Sequence, residues 1–304
     1  MKALVIGYGS IGARHARVLS QGLLCDTAVL SKRDVDFPLS YHSLEEALDK
    51  HAPDYVVVAN QTSLHHEMLS RLALAGFTGR VLIEKPIFEI NRPMPAAAFE
   101  HVAVAYNLRF HPLIRRLKEF VAGLSVISVN AYVGQYLPNW RPTADYRKSY
   151  SASRNEGGGV LRDLSHELDY LTWLFGDWKS MATLGGHFST LEIESDDLFV
   201  LLANTSRCAA MTVQMSYLDR SAIRRVIVNT TDHTIEINLI NGNICIDGEV
   251  EKAPVEHDFS YFSMHQTYLY GDPGELCSVE EGLGVLKIID RAELANRTST
   301  WVSL

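Results

Sequence analysis

The 304-residue chain has room for two ordinary domains, and 47% hydrophobic with 21% charged residues is the make-up of a globular protein. A formal net charge of −8 argues against a nucleic-acid surface, and no apolar run approaches the roughly 18 residues that cross a bilayer. Cys25, Cys208, Cys245 and Cys277 stand apart, without a C-x-x-C pair or a nearby His at zinc spacing, and read as structural thiols of a reducing cytoplasm with no metal site.

Ala3 to Ile6 has the composition of a buried parallel strand, and a strand this early leaves no room for a signal peptide. Gly7, Gly9 and Gly12 follow as G-x-G-x-x-G, and Ile11, His15, Val18 and Leu19 continue at helical spacing. One glycine makes the tight turn, one lets backbone approach a pyrophosphate, and one lets helix pack on strand. Ser10 and Ile11 then open a helix whose first N–H groups face an anion. The next predicted strand, Thr27–Ser31, ends where an NAD-binding βαβ unit carries an acidic residue for the ribose. Ser31, Lys32 and Arg33 stand there instead, and a hydroxyl with two cations suits a 2′-phosphate. NADP is therefore favoured over NAD, with Asp34 as the alternative ribose ligand.

Ser43 to Glu46 is a capping box that starts a helix running to about Lys50. Tyr55–Ala59 is another apolar strand, followed by Asn60, Thr62 and His65 at its carboxyl end, where open α/β sheets bind ligands. The plainer reading is a polar cap on the helix Glu67–Leu74. Arg80–Pro86 is the next strand, closing on Glu84-Lys85-Pro86, and Val102–Asn107 is the last strand of this half. A lysine near a cationic nicotinamide ring has a lowered pKa and can steer a proton, although most lysines simply face solvent.

Pro112–Phe120 reads as a helix and Val126–Val133 as a strand. The stretch from Gly134 to Arg154 is a loop rich in aromatics and cations. Its Tyr136, Trp140, Arg141, Tyr146 and Arg147 are substrate candidates: aromatic faces suit sugar rings, and guanidinium suits a carboxylate or phosphate. A solvated or subunit-contacting loop explains the same composition. Gly157 to Gly159 opens a predicted helix from about Val160 to Phe175, stopped by Gly176. Asp163 and His166 are three apart and share a face, with Asp169 one turn on. A carboxylate one turn from a His sets its tautomer and raises its basicity, which favours acid–base work over simple packing. Beyond Ser180 the pattern turns to strands: Asp197–Ala203, the alternating run through Met211, Val213, Met215 and Tyr217, Arg225–Asn229, Thr234–Leu239 and Asn243–Asp247. Ser278 to Glu281 caps a final helix to about Ala295, and a short strand closes the chain.

These segments together resemble the glucose-fructose oxidoreductase / inositol dehydrogenase / MocA family. The resemblance is carried by the opening glycine motif, Ala59 to His65, Glu84-Lys85-Pro86, Tyr106-Asn107 through Pro112, and Gly157 through Asp169. It implies an α/β chain: an N-terminal Rossmann domain with a parallel sheet and a C-terminal α+β domain with an open, mostly antiparallel sheet. The crossover near Asn107 to Pro112 sets the boundary between 1–110 and 111–304, with the last residues free to pack back on the first domain. It also implies hydride exchange between a nicotinamide and an alcohol carbon of a sugar or cyclitol. Glu84 and Asn107 join the coenzyme-binding set. His166 becomes the general base, Asp163 holds substrate hydroxyls and Lys85 completes the group. His166 and Asp169 fit the family's H-x-x-D, whereas Asp163 lies one position closer to the His than is usual. The implied partners are a small, sugar-like and possibly anionic substrate and a second copy joined through the C-terminal sheet. Neither nucleic acid nor membrane is among them. A coenzyme-sensing binding protein of the same fold, and a reductase of small carbonyls or imines, are the rival readings.

Overall fold

The apolar runs near the start of the chain pair side by side. In the computed structural model, which describes residues 1–142, 144–253 and 255–304, the chain opens with β1 (Lys2–Ile6), α1 (Ser10–Arg17), β2 (Asp26–Leu30), β3 (Ser40–Tyr41) and α2 (Leu44–His51). Next come β4 (Tyr55–Val58), α3 (His65–Leu74), β5 (Arg80–Ile83) and β6 (His101–Val104). The middle holds α4 (Pro112–Val121), β7 (Val126–Gly134), α5 (Val160–Asp163) and α6 (His166–Phe175). Seven strands follow: β8 (Trp178–Gly186), β9 (Leu198–Thr205), β10 (Cys208–Ser216), β11 (Ile223–Thr230), β12 (Thr234–Asn238), β13 (Asn243–Ile246) and β14 (Glu249–Lys252). The chain closes with α7 (Phe259–Tyr270), β15 (Cys277–Ser278), α8 (Val279–Thr298) and β16 (Val302–Ser303).

Two compact units result, one of Met1–Phe110 with His257–Leu283 and one of His111–Glu256 with Gly284–Leu304. The first is built on a seven-stranded sheet in the order β15-β6-β5-β4-β1-β2-β3, parallel throughout except for the β15–β6 pair. Its central strands are apolar without alternation because a parallel sheet is covered on both faces; Leu4, Val5, Val56 and Val57 are all fully buried. One cover is α7, whose Tyr261, Met264, Tyr268 and Leu269 join the core containing Val5, Val57 and Leu82.

The second unit carries a nine-stranded sheet in the order β14-β13-β12-β11-β7-β10-β9-β8-β16, in which only β7 and β10 pair in parallel. Alternation along β10 buries Met211, Val213 and Met215 and leaves Thr212 and Gln214 partly open, as one covered face requires. The later part of α8 is fixed to β8 by Asn296, whose amide exchanges two 2.9 Å hydrogen bonds with the Gly185 backbone.

Three expectations need correcting. The helix predicted over 160–175 is two helices, because 3₁₀-type bonds from Ser165 N to Arg162 O (3.3 Å) and Glu167 N to Leu164 O (3.2 Å) tighten the chain between them. Asp163 therefore ends α5 and His166 begins α6, so they are not neighbours on one continuous helix face. The strand predicted to reach Pro86 stops at Ile83, and the one predicted to reach Asn107 stops at Val104; both polar ends turn away as loop or 3₁₀ structure. No described helix is long and apolar enough to cross a membrane.

Candidate coenzyme and catalytic sites

The glycines of the first turn are distinguished by what a side chain would meet. A Cβ on Gly7, whose φ is +95°, would lie 2.7 Å from Ala59 O and from Asn60 N and Cα, so the turn is pressed against the end of β4. One on Gly12 would lie 1.9 Å from Gly7 O, so only glycine lets α1 sit this close to the turn. Gly9 faces open space, with nothing within 4 Å of its missing side chain. As the N-cap of α1 it supplies no side-chain acceptor, which leaves the first N–H groups, those of Ser10 and Ile11, available to an anion. Beside this cradle, Asn60 Oδ1 is buried and has no hydrogen-bond partner among the described residues. A buried, unsatisfied amide oxygen next to an open glycine turn fits a group with hydrogen-bond donors, as a dinucleotide has.

At the end of β2, Ser31 Oγ accepts from Arg33 N at 3.1 Å, and Ser31 O accepts from His42 Nδ1 at 2.9 Å. Lys32 and Arg33 are exposed and make no ion pair among the described residues, whereas the fully exposed Asp34 carboxylate lies 3.6 Å from His42 Nε2. Thr62, half-buried, lies in a 3₁₀ turn and gives α3 no side-chain cap. His65 is buried, with Nδ1 3.1 Å from Ile87 O and Nε2 3.2 Å from Asn60 O. Burial lowers its pKa, so its single proton serves one of these carbonyls, and the ring clasps the end of β4 to the turn after β5. Asn107 donates to Ser260 Oγ at 2.7 Å and is likewise turned into the protein.

Glu84 is the residue whose surroundings the sequence did not reveal. Its Oε2 accepts from Lys85 N at 3.0 Å, while Oε1 lies 2.8 Å from Nε2 of the fully buried His15 on α1. His15 Nδ1 lies 2.7 Å from His265 Nε2, and His265 Nδ1 lies 2.9 Å from the Tyr55 hydroxyl. Lys85 itself is half-buried.

In the second unit the glycine run before α5 serves close packing. A Cβ on Gly158 would strike Tyr150 O at 2.0 Å, and one on Gly159 would strike Asp196 Oδ1 at 2.5 Å. Asp196 Oδ2 accepts from Leu161 N at 3.2 Å and so holds the start of the helix. Asp163, buried, accepts from Tyr217 at 2.6 Å, and Tyr150 makes a second phenol contact with it. Asp163 first, then burial, pushes the Tyr150 hydroxyl up; for Tyr217 burial leads and Asp163 follows. His166 is the only residue from Leu161 to Tyr170 that is not buried. Its neighbour Glu167 is fully buried in a two-pronged bond with Arg224 at 2.7 and 3.0 Å.

The loop candidates fall into two groups. Trp140 meets the Tyr217 ring edge-on at 5.2 Å and Arg141 lies over the Tyr150 ring at 5.8 Å, so both approach the pair of phenols on Asp163. Tyr136 lies under Arg220 at 3.4 Å. Arg147 spends its fork on Asp145, at 2.8 and 3.0 Å, with Glu192 at 3.3 Å, and Tyr146 accepts from Glu192 N at 3.3 Å. Arg147 and Glu192 border an open cavity of about 490 Å³ shared with Ser153, His187 and Glu194. Tyr150, Tyr217 and Arg220 are the additions that the structure makes here.

Comparison with known proteins agrees with this division. The profile described as "Oxidoreductase family, NAD-binding Rossmann fold" matches residues 1–108, and that described as "GFO/IDH/MocA C-terminal domain" matches residues 115–237. The chain belongs to the Gfo/Idh/MocA oxidoreductase family. Its first unit is thus an NAD-binding Rossmann fold, and its second the family's C-terminal domain. This Gfo/Idh/MocA chain is 31% identical over 200 residues to an uncharacterized oxidoreductase of Synechocystis sp., a match covering 59% of this chain and 52% of that protein. It therefore spans about half the length of that relative. Solved structures share its fold, GenD2 and the WlbA dehydrogenase among them. GenD2 of gentamicin A biosynthesis, in complex with NAD, has a TM-score of 0.82 at 20% identity, covering 100% of this chain and 96% of that one. The WlbA dehydrogenase of Bordetella pertussis, in complex with NADH and UDP-GlcNAcA, has a TM-score of 0.80 at 20% identity, with coverage of 100% and 98%.

Proposed function

We propose that this chain is a nicotinamide-dependent oxidoreductase acting on a secondary alcohol or ketone of a sugar-like, anionic substrate, with NADP preferred. The nicotinamide, when bound, supplies the hydride acceptor or donor. The observation that carries the coenzyme assignment is the orphaned, buried Oδ1 of Asn60, the residue whose backbone packs against Gly7 in the glycine turn. In this reading the N–H groups of Ser10 and Ile11 hold the pyrophosphate, and Ser31, Lys32 and Arg33 take the 2′-phosphate; the two unpaired surface cations support that choice. His166, partly exposed at the head of α6, takes or returns the proton of the substrate hydroxyl. Asp163, held in place by the Tyr217 and Tyr150 phenols, receives substrate hydroxyls, and Lys85 steers charge near the nicotinamide. Arg141, stacked on Tyr150 beside that carboxylate, faces the anionic group; Arg147 is already matched by its two carboxylates. The nucleotide-activated sugar acid bound by the B. pertussis neighbour supports an acidic sugar. Exposed Leu184 and Leu202 on the open side of the nine-stranded sheet support pairing with a second copy.

The test is titration with NADPH and NADH, for the wild type and for Arg33→Ala. NADPH should bind more tightly, and Arg33→Ala should weaken NADPH about ten-fold while leaving NADH unchanged. A preference for NADH moves the ribose contact to Asp34 and overturns the NADP assignment. Binding of neither coenzyme overturns the enzyme reading.

A further inference from the structure

The buried run Tyr55–His265–His15–Glu84 lies outside the glycine motif and is not used by the proposed chemistry. Its polarity follows from donor and acceptor counting. An ionised carboxylate only accepts, so His15 Nε2 carries the proton facing Glu84 Oε1. His265 is held well below the usual histidine range, by burial first and then by His15, so it has one ring proton. Two arrangements remain. If that proton sits on Nδ1, it faces the Tyr55 oxygen, and the Tyr55 hydroxyl proton has no other acceptor among the described residues. If it sits on Nε2, it is donated to His15 Nδ1, and His265 Nδ1 accepts from Tyr55. Only the second arrangement uses every proton, which matters where Tyr55, His15 and His265 are all fully buried.

We infer that Tyr55, His265 and His15 form a one-way hydrogen-bond chain ending on Glu84, and that His265 and His15 are positioning residues for the coenzyme site. The chain ties α7 to α1, the helix behind Gly7–Gly12, and ties α1 to the turn carrying Lys85. Both Glu84 oxygens are engaged, one by His15 and one by Lys85 N, so the carboxylate's orientation and the Lys85 backbone are set together. A residue on α7, 250 positions from His15, thereby becomes part of the frame on which the coenzyme is held. The inference rests on taking the turn at residues 84–86 as part of the coenzyme site.

Two measurements test it separately. Nitrogen NMR of histidine-labelled wild-type protein should show His15 and His265 each protonated on Nε2 alone; a proton on His265 Nδ1 overturns the chain whatever the protein binds. Coenzyme titration then compares two variants. His265→Leu removes the donor to His15 and should raise the Kd about ten-fold. His265→Gln, whose amide can place an N–H where Nε2–H was, should restore binding to within about three-fold. Unchanged Kd values in both variants, with only a lowered melting temperature, reduce His265 to a packing residue and overturn the positioning role. If the wild type binds no dinucleotide, the positioning role falls with the coenzyme reading, while the nitrogen spectra still decide the chain.

Discussion

Gly9→Ala separates what the fold needs from what the coenzyme needs. Gly9 has φ −82° and ψ −169°, an extended conformation open to alanine, and its missing Cβ meets nothing within 4 Å. By itself the substitution should stabilise the protein by about 0.4–1 kcal/mol, because alanine narrows the unfolded ensemble. The melting temperature should therefore hold or rise by about 1–3 °C. The new methyl would nevertheless occupy the space through which a pyrophosphate reaches the first N–H groups of α1. Forcing a methyl into a formed contact costs on the order of 1–3 kcal/mol, equivalent to roughly 5- to 150-fold in Kd. Gly12→Ala is the control, since its Cβ would lie 1.9 Å from Gly7 O and must push α1 off the turn. It should lose stability and coenzyme affinity together. The assay is a thermal melt alongside fluorescence titration with NADPH or NADH. A Gly9→Ala protein that melts normally and binds coenzyme like the wild type would falsify the placement of the coenzyme over this turn.

His166→Ala should abolish turnover of a sugar substrate while leaving the coenzyme Kd within about two-fold; turnover retained at more than a few per cent removes it as the base. His111 gives a pH-dependent outcome. Burial first, then the Arg224 guanidinium, pushes its imidazole down to about 4, and its Nδ1 accepts from Leu113 N at 3.2 Å as the N-cap of α4. The unfolded chain takes up this proton near pH 6.5 and the folded one resists, so stability from this group is complete above about 6.5 and is lost as pH falls toward 4. The loss is up to about 3 kcal/mol. His111→Asn keeps a capping acceptor without the titration. Urea unfolding at pH 7.5 and 4.5 should show a smaller drop for the variant, and equal drops would refute the assignment.

What was legible in the sequence was local. Gly7, Gly9 and Gly12 could be read because backbone clearance within a dozen residues dictates them. Ser278 and Glu281 could be read because a capping box closes on itself, here with both reciprocal bonds at 3.1 and 2.8 Å. Ser43 keeps only half of its box: it accepts from Glu46 N, but the Glu46 side chain turns to Lys50. The residues that escaped are those whose partners lie far along the chain. Tyr217 reads as one more inward member of an alternating strand, and nothing local tells that its hydroxyl reaches Asp163, 54 positions earlier. Arg147 reads as a cation for substrate, although Asp145 and Glu192 claim it. The break between α5 and α6 was hidden because every residue from Val160 to Phe175 is compatible with a helix. Distinct partners for Arg162, Asp163 and Glu167 fix the two pieces instead. The helix α7 was missed because its tyrosines, histidine and methionine mark no clean apolar stripe.

The composition of the first unit from Met1–Phe110 and His257–Leu283 also sets an order of events during synthesis. When Phe110 leaves the ribosome, the edge of β6 still lacks β15, and the core around Val5, Val57 and Leu82 still lacks Tyr261, Met264 and Tyr268. At roughly 5–20 residues per second, the intervening chain delays that cover by about 7–30 s. Throughout that interval the nascent glycine turn is tethered to an incomplete sheet, with an unpaired strand edge and an uncovered apolar face open to chaperones or to neighbouring nascent chains.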